Sequence, residues 1–473
     1  MARLQIGRTV RRLRGERSLS QQALAHRLGI SASYLNLIEH DQRVVSGSLL
    51  IKLAGVFDVD LAALSGAEER RLEARLREVF TDPLLTMTTP VPDEEIVALA
   101  ASAPGAANSV LALYAQFQAA RRDASGMTLP SGARVLLPYE EARDFFENRA
   151  NHFPVLETAA EAIVAACGGG LLAKHGNLLA ERLRREHDLA VTVEPLDGVL
   201  RRVETDARRL ALSESLTSSS RAFQMAFQLA LQEADEAVDT VLGEAAASSS
   251  ESTNLIHVGL LNYVAGAILM PYEAYLETVR ALRYDMEAVA VRFGVSFEQA
   301  CHRLSTLQRP ARRAVPFFFV RVDPAGNVSK RFSAAGFPFV RYSGSCPRWV
   351  VHGAFSQPGT VQVQVAELPG GAAYLCFART VTRPAVKWGE PRPVHVVAMG
   401  CNVADARELA YADGLDLEGA KVGIGPSCRQ CERQGCRSRA FPPLHHRLVV
   451  DPQTSVATPY RFEAHRSAHD GGG

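Results

Sequence analysis

The chain has 473 residues, more than one hydrophobic core can hold when domains typically run to about 100–200 residues. Apolar residues make up 47% and charged residues 22%, which excludes disordered, collagenous and coiled-coil chains and leaves an ordinary soluble globular protein, which the element patterns along the chain make multidomain α+β. A net charge of +1, from 52 basic and 51 acidic side chains, argues against a chain that coats nucleic acid along its whole length. No apolar run approaches the roughly 18 residues of a spanning helix, and the start at Met1–Gly7 is too polar for a signal peptide, so the expected location is cytoplasmic.

The charge is unevenly spread. Residues 1–52 hold nine Arg or Lys against Glu16, Glu39 and Asp41, the footprint of a nucleic-acid-binding segment. Leu4, Ile6, Val10 and Leu13 recur at near-helical spacing up to Gly15. Ser20 then caps a short helix over residues 21–28, Gly29 ends it, and Ser31 caps the next helix over residues 32–39. Helix, glycine turn, helix is the helix-turn-helix unit. Further helices around Ser48–Phe57 and Leu61–Ser65 complete its core. In such a unit the second helix enters the major groove, so Ser31, Ser33, Tyr34 and Asn36 are assigned to base or near-base contacts, with Gln21 and Arg43 on the backbone.

Ser-Gln-Gln-x-Leu-Ala-x-x-Leu-Gly-Ile-Ser followed by Tyr-Leu-Asn-Leu-Ile-Glu resembles the lambda-repressor-like, or XRE, family over residues 5–65. The resemblance implies a dimer on a near-palindromic DNA site. Residues 1–65 are thus the all-α DNA-binding domain, and 66–138 a helical linker. The charged amphipathic helix Glu68–Phe80 offers either a solvated face or a surface for pairing protomers. Thr86–Pro92 and Ala101–Asn108 read as punctuation around short helices, one of which runs from Val110 to Arg122.

Residues 139–308 read as a mixed α/β domain. Helices are expected at Tyr139–Gly168 and Leu171–His187, and short strands at Val191–Val193 and within Val199–Leu212. Arg221–Thr240, Leu261–Pro271 and Phe293–Ser296 follow in an order similar to the ImmA/IrrE metallopeptidase-like domain. Active members carry Phe-x-x-Ala-His-Glu-x-x-His, two histidines one turn apart holding zinc beside a glutamate base. Matching Phe227 and Ala230 to it puts Leu231 and Asp235 at the histidine positions and Gln232 at the glutamate. Leucine cannot ligate zinc and glutamine cannot take its water's proton. His257 stands alone, without a partner at ligand spacing. The domain is read as a degenerate zincin-like fold that retains a cleft, with no catalytic residues.

Residues 309–473 turn to strand patterns at Val315–Val322, Phe337–Tyr342, Trp349–Phe355, Thr360–Leu368 and Ala372–Thr380, an antiparallel sheet. A helix near Ala404–Tyr411 precedes Cys428-x2-Cys431-x4-Cys436, with Cys401 upstream. Two thiolates two residues apart can grip one metal or cluster, and a third and fourth complete it. An iron–sulfur cluster and a four-cysteine zinc knot both fit. Arg429, Arg433, Arg437 and Arg439 would offset the thiolate charge, and His445 and His446 are spare ligands. Cys167, Cys301, Cys346 and Cys376 are read as packing residues.

The three parts in this order resemble one family over nearly the whole chain, the short-chain fatty acyl-coenzyme A regulators of the RamB and PrpR type. The resemblance implies a bacterial transcription factor of acetate and propionate-type metabolism, with short-chain acyl-CoA as effector. It further implies an iron–sulfur cluster of the 4Fe-4S kind on Cys401, Cys428, Cys431 and Cys436. No phosphate-cradling glycine loop identifies the acyl-CoA contacts. On this reading acyl-CoA selects the dimer geometry that matches half-site spacing. The alternatives are an iron–sulfur stress sensor without acyl-CoA, and a zinc peptidase that cleaves a repressor.

Overall fold

The computed structural model describes residues 6–463 apart from 18, 41, 44, 58, 60–66, 83–90, 125–136, 170–174, 340–344, 383–387, 390 and 444–445. Helices α1 (Gly7–Glu16), α2 (Gln21–Leu28), α3 (Ala32–Glu39) and α4 (Gly47–Phe57) close around Val10, Leu24, Leu28, Leu35, Ile38 and Leu53. Gly7 is required where α1 meets the end of α3, because a Cβ there would lie 2.3 Å from the Ile38 carbonyl oxygen. The helix expected at Leu61–Ser65 falls outside the described residues, as does most of the Thr86–Pro92 segment.

Three helices follow: α5 (Ala67–Phe80), α6 (Asp93–Ser102) and α7 (Pro104–Ala124). They are more regular than the linker expected there. Leu72, Leu76 and Val79 of α5 are buried against Ile96, Ala100, Ala107 and Leu111 of the other two, so its apolar stripe is used within the chain. Thr9 and Arg12 of α1 both donate to Glu69 Oε1, at 3.2 and 3.1 Å, which ties the first bundle to this one.

The helix expected over 139–168 is two, α8 (Pro138–Asn148) and α9 (Pro154–Ala166). Ala150 and Asn151 between them take positive φ of 50° and 52°, which ends one helix and redirects the chain. After α10 (His175–His187), β1 (Ala190–Glu194), β2 (Arg201–Glu204) and β3 (Arg209–Ser213) form a small sheet in the order β1-β3-β2, with β1 parallel and β2 antiparallel to β3. Helix α11 (Ser218–Glu233) breaks at Ala234 into α12 (Asp235–Gly243). Helix α13 (Ser250–Leu269) is long and apolar enough to cross a bilayer, yet it packs between α8, α9 and α11 as the central core helix. Helices α14 (Tyr272–Ala281), α15 (Met286–Phe293) and α16 (Phe297–Leu304) complete this part.

Strands β4 (Phe317–Val322), β5 (Val328–Ser333), β6 (Gln362–Glu367), β7 (Ala373–Thr382), β8 (Val394–Asn402) and β9 (Lys421–Gly423) make one sheet in the order β5-β4-β8-β7-β6-β9. All its pairs are antiparallel except β6 with β9. Alternation sorts its faces. Phe317, Phe319, Leu375, Phe377, Val397, Met399 and Cys401 join the helices of the middle part in one continuous core. Phe318, Val320, Tyr374, Cys376, Val396 and Ala398 face the other way, under Phe337, Trp349 and Val351. The expected boundary at 308/309 therefore marks a change of secondary structure and no gap in the core.

Among the described residues, two expected strands are not formed. Phe337–Phe339 is irregular, and the rest of that segment lies outside the described residues. Trp349–Phe355 is helix α17 (Val350–Gly353) followed by a 3-10 turn, because its apolar residues cap the outer face of the sheet and do not extend it. The helix expected near 404–411 is two 3-10 turns, over Val403–Glu408 and Ala410–Ala412.

Candidate nucleic-acid interface, cavity and cysteine site

Local chemistry builds the first site. Ser20 Oγ accepts from Ala23 N–H at 3.1 Å, Gly29 closes α2 with φ of 70°, and Ser31 Oγ accepts from Tyr34 N–H at 3.1 Å to start α3. Each such cap is worth about 1 kcal/mol. The Ser31 hydroxyl is also 3.1 Å from that of Ser33, so capping holds it in place. Ser33 and Asn36 are exposed on α3, Tyr34 rests partly against the core, and Arg43 is exposed beyond the helix. Gln21, expected on phosphate, donates from Nε2 to Asn36 Oδ1 at 3.3 Å and to Glu39 Oε2 at 2.8 Å, bracing α3 from α2.

Arg14 and Arg17 of this segment are engaged within the bundle. Arg14 makes a two-pronged bond to buried Glu39 at 2.6 and 3.1 Å, and Arg17 donates to the Phe57 carbonyl at 2.6 Å. Burial raises the Glu39 carboxyl, but hydrogen bonds from Arg14 and Gln21 outweigh it and hold the group below its usual range. Arg11, Arg27 and Arg43 remain on the surface. An exposed α3 face flanked by cations has the form of a major-groove reader.

Helix α11 carries no histidine. Its end at Glu233, with the break at Ala234, separates Leu231 from Asp235, so the expected match does not place two ligand positions on one unbroken turn. One turn earlier, Phe223 and Ala226 put Phe227, Gln228 and Leu231 at the His, Glu and His positions. Gln228 is buried there, and the Arg201 guanidinium stacks 4.2 Å from the centre of the Phe227 ring. Neither register supplies a zinc ligand pair.

A cavity of about 1310 Å³ lies where the middle helices meet the sheet, larger than the roughly 300–1,000 Å³ common for small-molecule sites. Phe146, Leu200, Phe223, Leu255, Phe319 and Phe332 give it apolar walls, while Arg143, Arg303, Arg321, Lys330 and Arg331 bring cations to it. Gly259 lets α13 approach α8 at this wall, since a Cβ there would sit 2.6 Å from the Phe146 ring.

Beneath the cavity is a buried network. Arg303 donates to both Glu157 oxygens at 2.7 and 2.8 Å and to the Met270 carbonyl at 2.9 Å, and Tyr263 donates to Glu157 at 2.6 Å. Burial raises the Glu157 carboxyl, but the Arg303 charge and hydrogen bonds outweigh this and hold it low. Beside it, burial and then the Lys330 charge push the His302 imidazole down to about 4, so it is neutral at pH 7. Its ring meets Phe319 edge-on at 5.5 Å. Lys330 and Arg321 share Glu298, at 3.4 and 2.8 Å.

Of the four cysteines expected to form one site, Cys401 is placed apart from the Cys428–Cys436 loop's neighbour Cys346. Cys401 on β8 faces the helical core, where burial and nearby Asp405 push its thiol well up. Cys346, expected to be a packing residue, lies on the opposite face and interacts electrostatically with Cys428 and Cys431. Strand alternation turns Cys401 to the face of the sheet opposite Cys346, and the spacing of the cysteines carries no signal of that. Arg439 is buried and donates to the carbonyls of Cys428 and Cys431, both at 2.8 Å, and of Arg433 at 2.9 Å, which folds the loop around the thiols. Ala440 N–H donates to Cys428 Sγ at 3.3 Å. A Cβ on Gly425 would lie 2.7 Å from Cys431 Sγ. Backbone amides aimed at sulfur, beside buried arginine, suit thiolates holding a metal or cluster. His445 lies outside the described residues, and His446 stacks on Phe462.

Three family models match successive stretches of the chain. Residues 10–64 match the helix-turn-helix model, 184–305 the IrrE N-terminal-like domain, and 306–460 the C-terminal domain of the short-chain fatty acyl coenzyme A regulators. The HTH-type transcriptional regulators RamB and PrpR of Mycobacterium tuberculosis are each 38% identical, over 97% and 96% of this chain and 99% and 95% of theirs. The propionyl-CoA carboxylase regulator of Cereibacter sphaeroides is 38% identical over 97% of this chain and 99% of its own. A solved Mycobacterium tuberculosis transcriptional regulator superposes with a TM-score of 0.66 at 40% identity, over 69% of this chain and 99% of that one.

Proposed function

The chain belongs to the short-chain fatty acyl-coenzyme A regulator family of helix-turn-helix transcription factors, and from that membership we propose that it is a DNA-binding homodimer whose effector, a short-chain acyl-CoA, occupies the cavity between the middle helices and the C-terminal sheet. The observation that carries this is the cavity itself, whose volume, apolar walls and cations suit a ligand with phosphates at one end and a short acyl chain at the other. Arg143, Arg331 and Lys330 are the candidates for the phosphates, and Phe146, Phe223 and Phe319 for apolar contacts. The protein acts as a cytoplasmic regulator and not as a peptidase, in keeping with Phe227, Gln228 and Leu231 on α11.

Ser33, Tyr34 and Asn36 read base edges, Ser31 positions them, and Arg43 contacts phosphate; Gln21 acts through α3. Cys346, Cys428, Cys431 and Cys436 hold an iron–sulfur cluster, or zinc in its place. Either would hold the loop against the sheet, and a cluster would add redox sensitivity. Helix α5 passes close by, since Arg77 feels the charge of Glu432 next to Cys431, so the cysteine loop and the DNA-binding bundle share a neighbour. Protomers pair through α7, where Leu113 is 64% exposed and Phe117 lies one turn on.

An effector shifts DNA affinity only if it binds the two states differently. The test is thermal unfolding of anaerobically purified protein with acetyl-CoA and propionyl-CoA, together with its iron, sulfide and zinc content. Stabilisation by one acyl-CoA that is lost in Arg143→Ala supports the reading. A brown protein indifferent to every acyl-CoA would replace it with the stress-sensor alternative.

A further inference from the structure

The break between α11 and α12 creates a grouping that the sequence pattern does not reveal. Asp235 and Asp239 are four residues apart on α12 and so share a face. Helix α13 packs against α12 and brings His257 to them. One donor atom from each of the three lies within 4.8 Å of the other two. Both aspartates are exposed and His257 is half-buried, and among the described residues none of the three side chains has a hydrogen bond or ion pair to another protein group. His257 is thus not the solitary histidine that its sequence neighbours suggest.

We propose that Asp235, Asp239 and His257 bind a divalent first-row cation, Mn²⁺ or Zn²⁺, through two carboxylate oxygens and one imidazole nitrogen. Oxygen and nitrogen ligands bind such ions at about 2.0–2.2 Å, so donors already this close need only small side-chain rotations to share one. Exposed aspartates can make those rotations, and water fills the remaining positions. An imidazole in the set disfavours Ca²⁺, which takes oxygen ligands. Asp235 is a histidine position in the expected peptidase match, but the break at Ala234 carries it onto α12, and Asp239 and His257 lie outside that motif, so this donor set differs from a peptidase pair on one helix. Helix α13 also lines the cavity through Leu255 and Gly259, so the ion would fasten α12 to a cavity wall. This inference is independent of what the cavity binds.

The experiment is a Mn²⁺ titration of the full chain, following free Mn²⁺ by electron paramagnetic resonance. Manganese is the probe because thiolates select softer metals, which keeps the cysteine site silent. The wild type should bind one Mn²⁺ that Zn²⁺ displaces, and His257→Gln and Asp239→Asn should each weaken it at least about tenfold. Mn²⁺ should raise the melting temperature of the wild type and not of either variant. Metal-free variants melting like metal-free wild type show that the fold is intact. An isotherm unchanged in His257→Gln, or no Mn²⁺ bound at millimolar concentration, overturns the proposal.

Discussion

Replacing Arg303 by methionine removes the charge beneath the cavity and keeps much of the side-chain volume. Arg303 is 2% exposed and Glu157 1% exposed, and they meet through two hydrogen bonds of 2.7 and 2.8 Å. The substitution leaves Glu157 with Tyr263 as its close donor and frees the Met270 carbonyl. Stranding one partner of a buried pair costs about 3–5 kcal/mol, a loss of about two to four orders of magnitude in the folding constant. Urea unfolding at pH 7, followed by far-ultraviolet circular dichroism, measures it. Arg303→Met with Glu157→Leu removes both charges and should recover most of the loss.

The pH dependence follows from the direction of the shift. In the wild type Glu157 is held below its unfolded value, so its contribution is present above that value, about 4.3, and is lost as pH falls through the lower folded one. Without Arg303, burial dominates and the folded pKa rises above the unfolded one. Acidification then protonates Glu157 and narrows the gap between variant and wild type. A single variant that costs less than about 1 kcal/mol, or a double variant no more stable than the single, refutes a structural role for the pair.

Three further outcomes are expected. Asn36→Ala should weaken operator binding by about 1–3 kcal/mol and spare nonspecific DNA, measured by fluorescence anisotropy on both duplexes; equal loss on both contradicts base readout. Gly7→Ala should destabilise the first bundle by about 1–3 kcal/mol, because its Cβ meets the Ile38 and Glu39 backbone; an increase in melting temperature would mean that helix propensity outweighs the clash. His302 has a folded value of about 4 against an ordinary 6.5, so the unfolded chain takes up the proton first. Stability should therefore be complete above that upper value and fall as pH drops towards the lower one. His302→Gln should flatten that slope in pH-resolved melts, and an unchanged slope would exclude His302 as its source.

The helix-turn-helix was legible because its signals are local: Ser20, Gly29 and Ser31 act on backbone within four residues of themselves. Strands such as Phe317–Val322 were legible from apolar runs between turns. The break at Ala150 and Asn151 had local signals, since Asn tolerates positive φ and Pro154 opens α9, but helical patterning on both sides masked them; Asn151 is also bonded to Ser305. Trp349–Phe355 has strand composition, but strand and sheet cover share the same apolar residues. Membership of the cysteine site was half legible. The Cys428, Cys431 and Cys436 spacing marks a loop, whereas choosing Cys346 over Cys401 needs the register of β8 against β4 and β7. The cavity left no motif at all, since its walls come from segments as distant as Tyr139 and His395.

The continuous core between the helices and the sheet bears on how this protein can be divided. A chain ending at 308 would expose the apolar surfaces of α15 and α16, and a chain beginning at 309 would bare Phe317, Phe319, Phe377 and Met399. Residues from about 138 to 423 thus share one core, although 184–305 match a separate IrrE-like domain model. The helices of the IrrE-like part here contribute one side of a larger body. The sheet thereby supplies cohesion to helices that carry no zinc ligand pair on α11.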